Sequence, residues 1–257
     1  MGSFINVVIY RLPVMVFNCG EGETMTLSFP SSHCPHCKTK VYKRDNIPII
    51  SWFILNGKCR HCQAVIPKIY PLSEIVFGVI FAAIFYFFYQ EKDLIFIIIS
   101  LTVFSTCYAI FFIDLKWYII PDELNFLLIW LGLISAVMKW APITPIQAVL
   151  GCVVTWLIIK TMIIVFKRLT GKDGMGDGDA KLFAAGASFM GISQVHWLLL
   201  LSSIFGVGCY LIFKAYKYAP ERGEYKNYYD IDEKYHVPFG PAICLAIIFL
   251  FYYNLMC

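Results

Sequence analysis

Residues 94–114 read LIFIIISLTVFSTCYAIFFID. The stretch 94–113 carries no charge, and an aspartate closes it. At about 1.5 Å of rise per residue, such a helix is roughly 30 Å long, the thickness of a bilayer's hydrocarbon core. The stretch therefore predicts a membrane span with Asp114 at its end. An acid at a helix C-terminus opposes the helix macrodipole. Acids beside intramembrane helices are costly and mark functional sites by default.

Working outward, further apolar runs occupy 71–89, 124–138, 146–166, 180–192, 195–213 and 238–253. The chain of 257 residues is 59% hydrophobic and 15% charged. A soluble domain would carry about half and a quarter. The run 180–192 is short; it predicts a short or tilted span followed by a tight turn at Ile192-Ser193-Gln194, with a re-entrant helix as the alternative. Residues 1–10, MGSFINVVIY, are too few to cross a bilayer. They predict the remnant of a first transmembrane helix, with an interfacial segment as the alternative. The expected fold is an all-α polytopic membrane protein with about seven to eight transmembrane helices and a small cytoplasmic zinc-ribbon-like domain. The expected division is 1–10 (span remnant), 11–70 (cysteine-bearing cytoplasmic domain) and 71–257 (membrane domain).

Basic residues set the orientation. Segment 11–70 carries Arg11, Lys38, Lys40, Lys43, Arg44, Lys58, Arg60 and Lys68. Segment 167–181 adds Lys167, Arg168, Lys172 and Lys181, and segment 214–236 adds Lys214, Lys217, Arg222, Lys226 and Lys234. Lys116 lies between the runs ending at 113 and starting at 124, and only Lys92 and Lys139 fall on the alternate side. Loops rich in Lys and Arg stay cytoplasmic, so these segments face the cytoplasm. Lys160, inside a span, lies close enough to its end to snorkel toward that face. The net charge of +4 thus reflects topology. The expected partner is the lipid bilayer, with no nucleic acid.

Four of the ten cysteines form Cys34-x-x-Cys37 and Cys59-x-x-Cys62, with residues 38–58 between them. Two CxxC knuckles at that spacing turn four thiolates toward one tetrahedral Zn²⁺. A pair of redox CxxC motifs is the rival reading, but no thioredoxin-like βαβ pattern surrounds them. Four protein thiolates leave a zinc ion no open position for water, which makes the expected site structural. His33, His36 and His61 beside the knuckles read as surface residues. Cys107, Cys152, Cys209 and Cys244 lie inside apolar runs and read as small packing residues. Cys19 and Cys257 have no evident sequence partner.

Residues 174–181 read GMGDGDAK. The GxxxxGK[ST] pattern of a phosphate loop is missing, and so is the twelve-residue ligand series of an EF-hand. Topology places Asp179 and Asp114 at the same membrane face. Two carboxylates in a partly dry site share a proton; one then acts as general base on water and the other as general acid. Gly176 and Gly178 give a substrate backbone room beside Asp179. Asp122 follows Pro121 and reads as an N-cap, and Asp177 as a solvated loop acid. An ion- or proton-coupled transporter using interfacial acids is the competing function, and a zinc-bearing scaffold the third.

The motifs in order are Gly2-Ser3-Phe4-x-Asn6, Arg11-Leu12-Pro13, the two CxxC knuckles, Asn46-Ile47-Pro48 with Ser51-Trp52, Tyr70-Pro71-Leu72-x-Glu74, Phe112-Ile113-Asp114, Pro121-Asp122, Gly174-Met175-Gly176-x-Gly178-Asp179-x-Lys181 and Pro238-Phe239-Gly240-Pro241. Together they resemble the type IV prepilin peptidases (leader peptidase / N-methyltransferase), GxGD-type membrane aspartic proteases of the bacterial inner membrane. The resemblance implies a peptidase that removes the short basic leader of prepilin or pseudopilin precursors at the cytoplasmic face. It implies Asp114 and Asp179 as the catalytic pair, with Gly176, Gly178, Lys181 and Asp122 in support. It also implies methylation of the new N-terminus with S-adenosylmethionine. The chain departs from the family pattern in three places: most of the first span is absent, Asp177 fills the variable position of GxGD, and Ile69 stands where the family has arginine.

Overall fold

In the computed structural model, the described residues are 2–17, 26–34, 36–89, 93–172, 174–216 and 238–256. Segment 214–236 beyond residue 216, together with Lys92, Cys19 and Cys257, lies outside them. All named elements are helical, and two isolated β-bridges are the only extended pairings among the described residues. Four helices are long and apolar enough to cross a membrane, Ile69–Phe88, Leu94–Trp117, Pro145–Thr170 and Ile192–Ile212. The chain forms two compact units, Met1–Ser105 and Thr106–Cys257.

In the first unit, α1 (Gly2–Phe17) runs on past residue 10 with Pro13 inside it. It packs on α3 (Ile69–Phe88), where Asn6 Nδ2 donates to Ser73 Oγ at 2.7 Å. Gly2 allows the close approach, because a Cβ there would stand 3.1 Å from the Glu74 Cα. Arg11 is buried, and its guanidinium donates to the carbonyls of Thr26, Leu27 and Pro30 at 3.1, 3.3 and 2.6 Å. A buried charge needs such partners. The short α2 (Ile50–Ile54) follows Ile49, whose φ of 62° is left-handed and unusual for a β-branched residue. Glu74 accepts the Ile49 N–H at 2.7 Å and so pins that strained peptide to α3. The N-terminal part of α4 (Leu94–Trp117) completes the unit.

The second unit begins within α4. Tyr118, at φ 56°, ends that helix, and Pro121 caps α5 (Asp122–Val137). The turn before α6 (Pro145–Thr170) is a capping box: Thr144 Oγ1 accepts the Gln147 N–H and Gln147 Oε1 accepts the Thr144 N–H. Gly171, left-handed at φ 69°, closes α6. The run expected at 180–192 is α7 (Asp177–Met190), a turn at Gly191 and a 3₁₀ turn over Ile192–Gln194. α8 (Val195–Tyr216) and α9 (Gly240–Met256) follow.

α7 is the centre of this unit. Residues from Ala180 and from Leu182 through Met190 are buried, and α7 packs against α5, α6, α8 and α9. A helix apolar all round belongs inside a bundle. Its small residues permit the approach: a Cβ on Gly132 of α5 would collide with the Ser188 side chain, and one on Gly186 would stand 2.8 Å from Ile247 Cγ1. With 14 residues, α7 rises only about 21 Å.

Candidate active site

Asp114 lies in the last turn of α4 and is only 4% exposed. Its own helix dipole disfavours the charge, but a second helix supplies compensation. Oδ2 accepts the N–H of Gly240, the first residue of α9, at 2.9 Å. The carboxylate of Asp114 thus sits at the positive end of α9. The contact requires glycine, because a Cβ at residue 240 would lie 2.7 Å from that oxygen.

Asp179 is the third residue of α7 and half-buried. Oδ2 accepts the N–H of Gly176, the residue that caps the helix, at 3.1 Å. Asp179 precedes the apolar run and lies outside the four long spans. Burial pushes its carboxyl up to about 6, against the pull of the Gly176 N–H. Ile120 links the two acids' surroundings: a Cβ on Gly178 would stand 3.0 Å from Ile120 Cβ, and one on Gly240 would stand 3.1 Å from Ile120 Cδ1. The charge on Asp179 also repels that on Asp114. Gly240, which binds Asp114, and Gly178, the neighbour of Asp179, thus both border Ile120, although the two acids are 65 positions apart in the chain (179 − 114).

Two ion pairs border them. Lys181 Nζ holds both oxygens of Asp122 at 2.7 and 2.6 Å and stands 5.9 Å from the centre of the Phe126 ring. Asp122 is the first residue of α5, whose cap is Pro121, so its side chain serves the pair with Lys181. Asp177 is exposed, as the sequence suggests, yet it is not alone. Lys160 reaches along α6 and donates to it at 2.6 Å, holding its carboxyl below the usual range. The sequence reading missed Asn125, which is fully buried on α5 and donates from Nδ2 to the Gly178 carbonyl at 3.3 Å. An amide in an apolar run three residues after Asp122 was the available signal.

The four cysteines belong to the first unit. Their sulfurs all lie within 4.8 Å of one another, with Cys34–Cys62 at 3.7 Å and Cys37–Cys59 at 4.0 Å. A tetrahedral Zn²⁺ with Zn–S bonds of about 2.3 Å sets sulfurs roughly 3.8 Å apart, so the residues fit that ion. Both knuckles use the same backbone pattern. Lys38 N–H donates to Cys34 O and Gln63 N–H to Cys59 O, and Lys38 and Gln63 are both left-handed. Hydrogen bonds from the Thr39 side chain and backbone hold the Cys37 thiol at about 6, close to the thiolate a metal takes. Arg60 clamps Asp45 beside the knuckles with two bonds of 2.9 and 2.6 Å.

Residues 1–88 match the bacterial peptidase A24 N-terminal domain, and residues 101–211 match the type IV leader peptidase family. A prepilin leader peptidase/N-methyltransferase of Neisseria gonorrhoeae is 35% identical over 262 residues, covering 96% of this chain and 84% of that protein. A protein of the same name from Aeromonas hydrophila is 32% identical over 265 residues, with the same two shares. A type 4 prepilin-like proteins leader peptide-processing enzyme of Escherichia coli O78:H11 is 31% identical, covering 98% of this chain and 90% of its own. No solved structure matches the chain.

Proposed function

The chain belongs to the type IV leader peptidase family, and from that premise we propose that it is a membrane aspartic endopeptidase for prepilin-like precursors. The observation that supports this reading is that Asp114, bound by Gly240, and Asp179, beside Gly178, share the neighbourhood of Ile120, one buried and one half-buried. Like charges in such a site favour a shared proton. The ionised carboxylate takes a proton from water as the water oxygen bonds to the scissile carbonyl carbon. The protonated carboxyl then gives its proton to the amide nitrogen as the carbon–nitrogen bond breaks. Gly176 and Gly178 leave open the flank along which a substrate backbone approaches.

The site faces the cytoplasm in this reading, because Lys167, Arg168 and Lys172 lie just before the GMGDGDAK stretch in the chain. In this reading the full set of seven to eight spans counts α1, α5, α9 and the apolar run 180–192, which begins after Asp179, with the four long helices. Cys34, Cys37, Cys59 and Cys62 hold a zinc ion that stabilises their lobe and takes no part in cleavage, since four thiolates fill its coordination. Methylation of the freed N-terminus, the second activity in the relatives' names, needs S-adenosylmethionine as donor. A transporter reading has no observation behind it, because Asp114 sits in the last turn of its helix rather than at mid-span.

The test is to incubate the purified protein in detergent or liposomes with a prepilin-like peptide, with and without S-adenosylmethionine, and weigh the products. Asp114→Asn and Asp179→Asn should each insert normally and leave the peptide uncut. Cleavage retained by either variant removes that residue from the pair. A mass gain of one methyl group on the product, only with the donor present, establishes the second activity.

A further inference from the structure

The first turns of α5 and α7 meet in register. Asp122 and Asn125 are three residues apart on α5, and Gly178 and Lys181 are three apart on α7. That spacing puts each pair on one helix face. Asn125 Nδ2 donates to the Gly178 carbonyl at 3.3 Å, and Lys181 grips Asp122 at 2.6 Å. Asp179 stands between the two anchored residues in the chain. Ile120, at the turn before α5, fills the space beside Gly178. The Gly178–Asp179 peptide is thus held between a side chain from the turn and an amide from the helix.

Asn125 is an expensive way to make this contact. The residue is fully buried, and its Oδ1 has no hydrogen-bond partner. A buried acceptor without a donor costs stability, whereas an apolar side chain of similar size at this position would carry no such cost. The amide is thus poorly explained by stability alone, and its one bond goes to the peptide that carries Asp179.

We infer that Asn125 is a positioning residue for the proposed peptidase: its amide fixes the Gly178 carbonyl and, through that peptide, the aim of the Asp179 carboxylate. The inference rests on the peptidase reading. It predicts a division between function and stability. Small misplacements of a reacting group slow chemistry steeply without weakening substrate binding.

The experiment measures kcat, KM and melting temperature for the wild type, Asn125→Leu, Asn125→Thr and Asp179→Asn on one prepilin-like peptide. Asn125→Leu should melt at or above the wild-type temperature, with kcat lowered about tenfold or more and KM unchanged. Asn125→Thr keeps a hydroxyl donor and should return kcat to within about threefold of wild type. The inference is overturned if Asn125→Leu keeps kcat within about twofold, changes KM alone, or fails to fold. It is also overturned if Asn125→Thr is as slow as Asn125→Leu. A wild type that leaves the peptide uncut sinks the peptidase reading itself; a cutting wild type matched by Asn125→Leu sinks only this inference.

Discussion

Asp179 carries opposed demands that a pH series can separate. Its folded carboxyl lies at about 6, above the roughly 3.9 of an unfolded chain, because burial disfavours the charge. A carboxyl raised by folding contributes stability below the unfolded value and loses that contribution as pH rises through the folded one. At pH 8 the ionised group therefore costs stability. Each unit is worth about 1.36 kcal/mol, and partial exposure of the side chain reduces the cost to roughly 1–2 kcal/mol. Asp179→Asn keeps an oxygen to accept the Gly176 N–H and should melt about 2–6 °C higher than wild type at pH 8. The gain should vanish near pH 4, while cleavage is lost at every pH. Differential scanning fluorimetry across pH 4–8 checks this, and a gain that grows as pH falls would contradict it. Asp114 shows where sequence reading stops at this scale. Its awkward position at a helix C-terminus is legible from FFID alone. Its compensating partner, the Gly240 N–H, lies 126 positions along the chain, and no local pattern announces that contact.

At the scale of elements, the apolar runs were readable, the short ones at 124–138, 180–192 and 238–253 included, but the central packing of α7 was not. Helices α3, α4, α6 and α8 follow the runs closely because length and hydropathy alone identify them. The central place of α7 depends on small residues fitting Gly132, Ser188 and Gly186 between helices, which is a matter of packing rather than periodicity. The cysteine lobe is the opposite case, since two CxxC spacings define the cluster before any fold is known. That lobe has little apolar core: Ile50, Phe53, Ile54 and Val65 are all exposed. Its structure should therefore depend on the metal, as small metal domains do. Metal analysis should find one zinc per chain, and a Cys34→Ser, Cys37→Ser variant should lack it. Chelation should open the lobe to trypsin at Lys38, Lys40, Arg44 and Lys58 while the spans stay intact. A chelated protein that resists trypsin there as well as the zinc-loaded one would show that the lobe folds without the ion.

For the molecule as a whole, one helix decides the orientation in the membrane. α6 is 26 residues long and rises about 39 Å, enough to cross the bilayer with some tilt. Lys139 lies just before it and Lys172 just after, both exposed. If α6 spans, these lysines are on opposite faces. Basic residues gather at the end of α6, at Lys167, Arg168 and Lys172, and the proposed orientation puts that end in the cytoplasm. Lys160, inside α6, reaches toward the same end to pair with Asp177, as a snorkelling side chain does. Single-cysteine probes read the orientation directly. In intact cells, a membrane-impermeant maleimide should label Lys139→Cys and leave Lys172→Cys untouched until the membrane is permeabilised, with the parent protein as background. The reverse pattern would put the carboxylate pair on the outer face. A leader peptidase acting before export would then lose access to its substrate, so this labelling constrains the proposed chemistry as firmly as any substitution at Asp114 or Asp179.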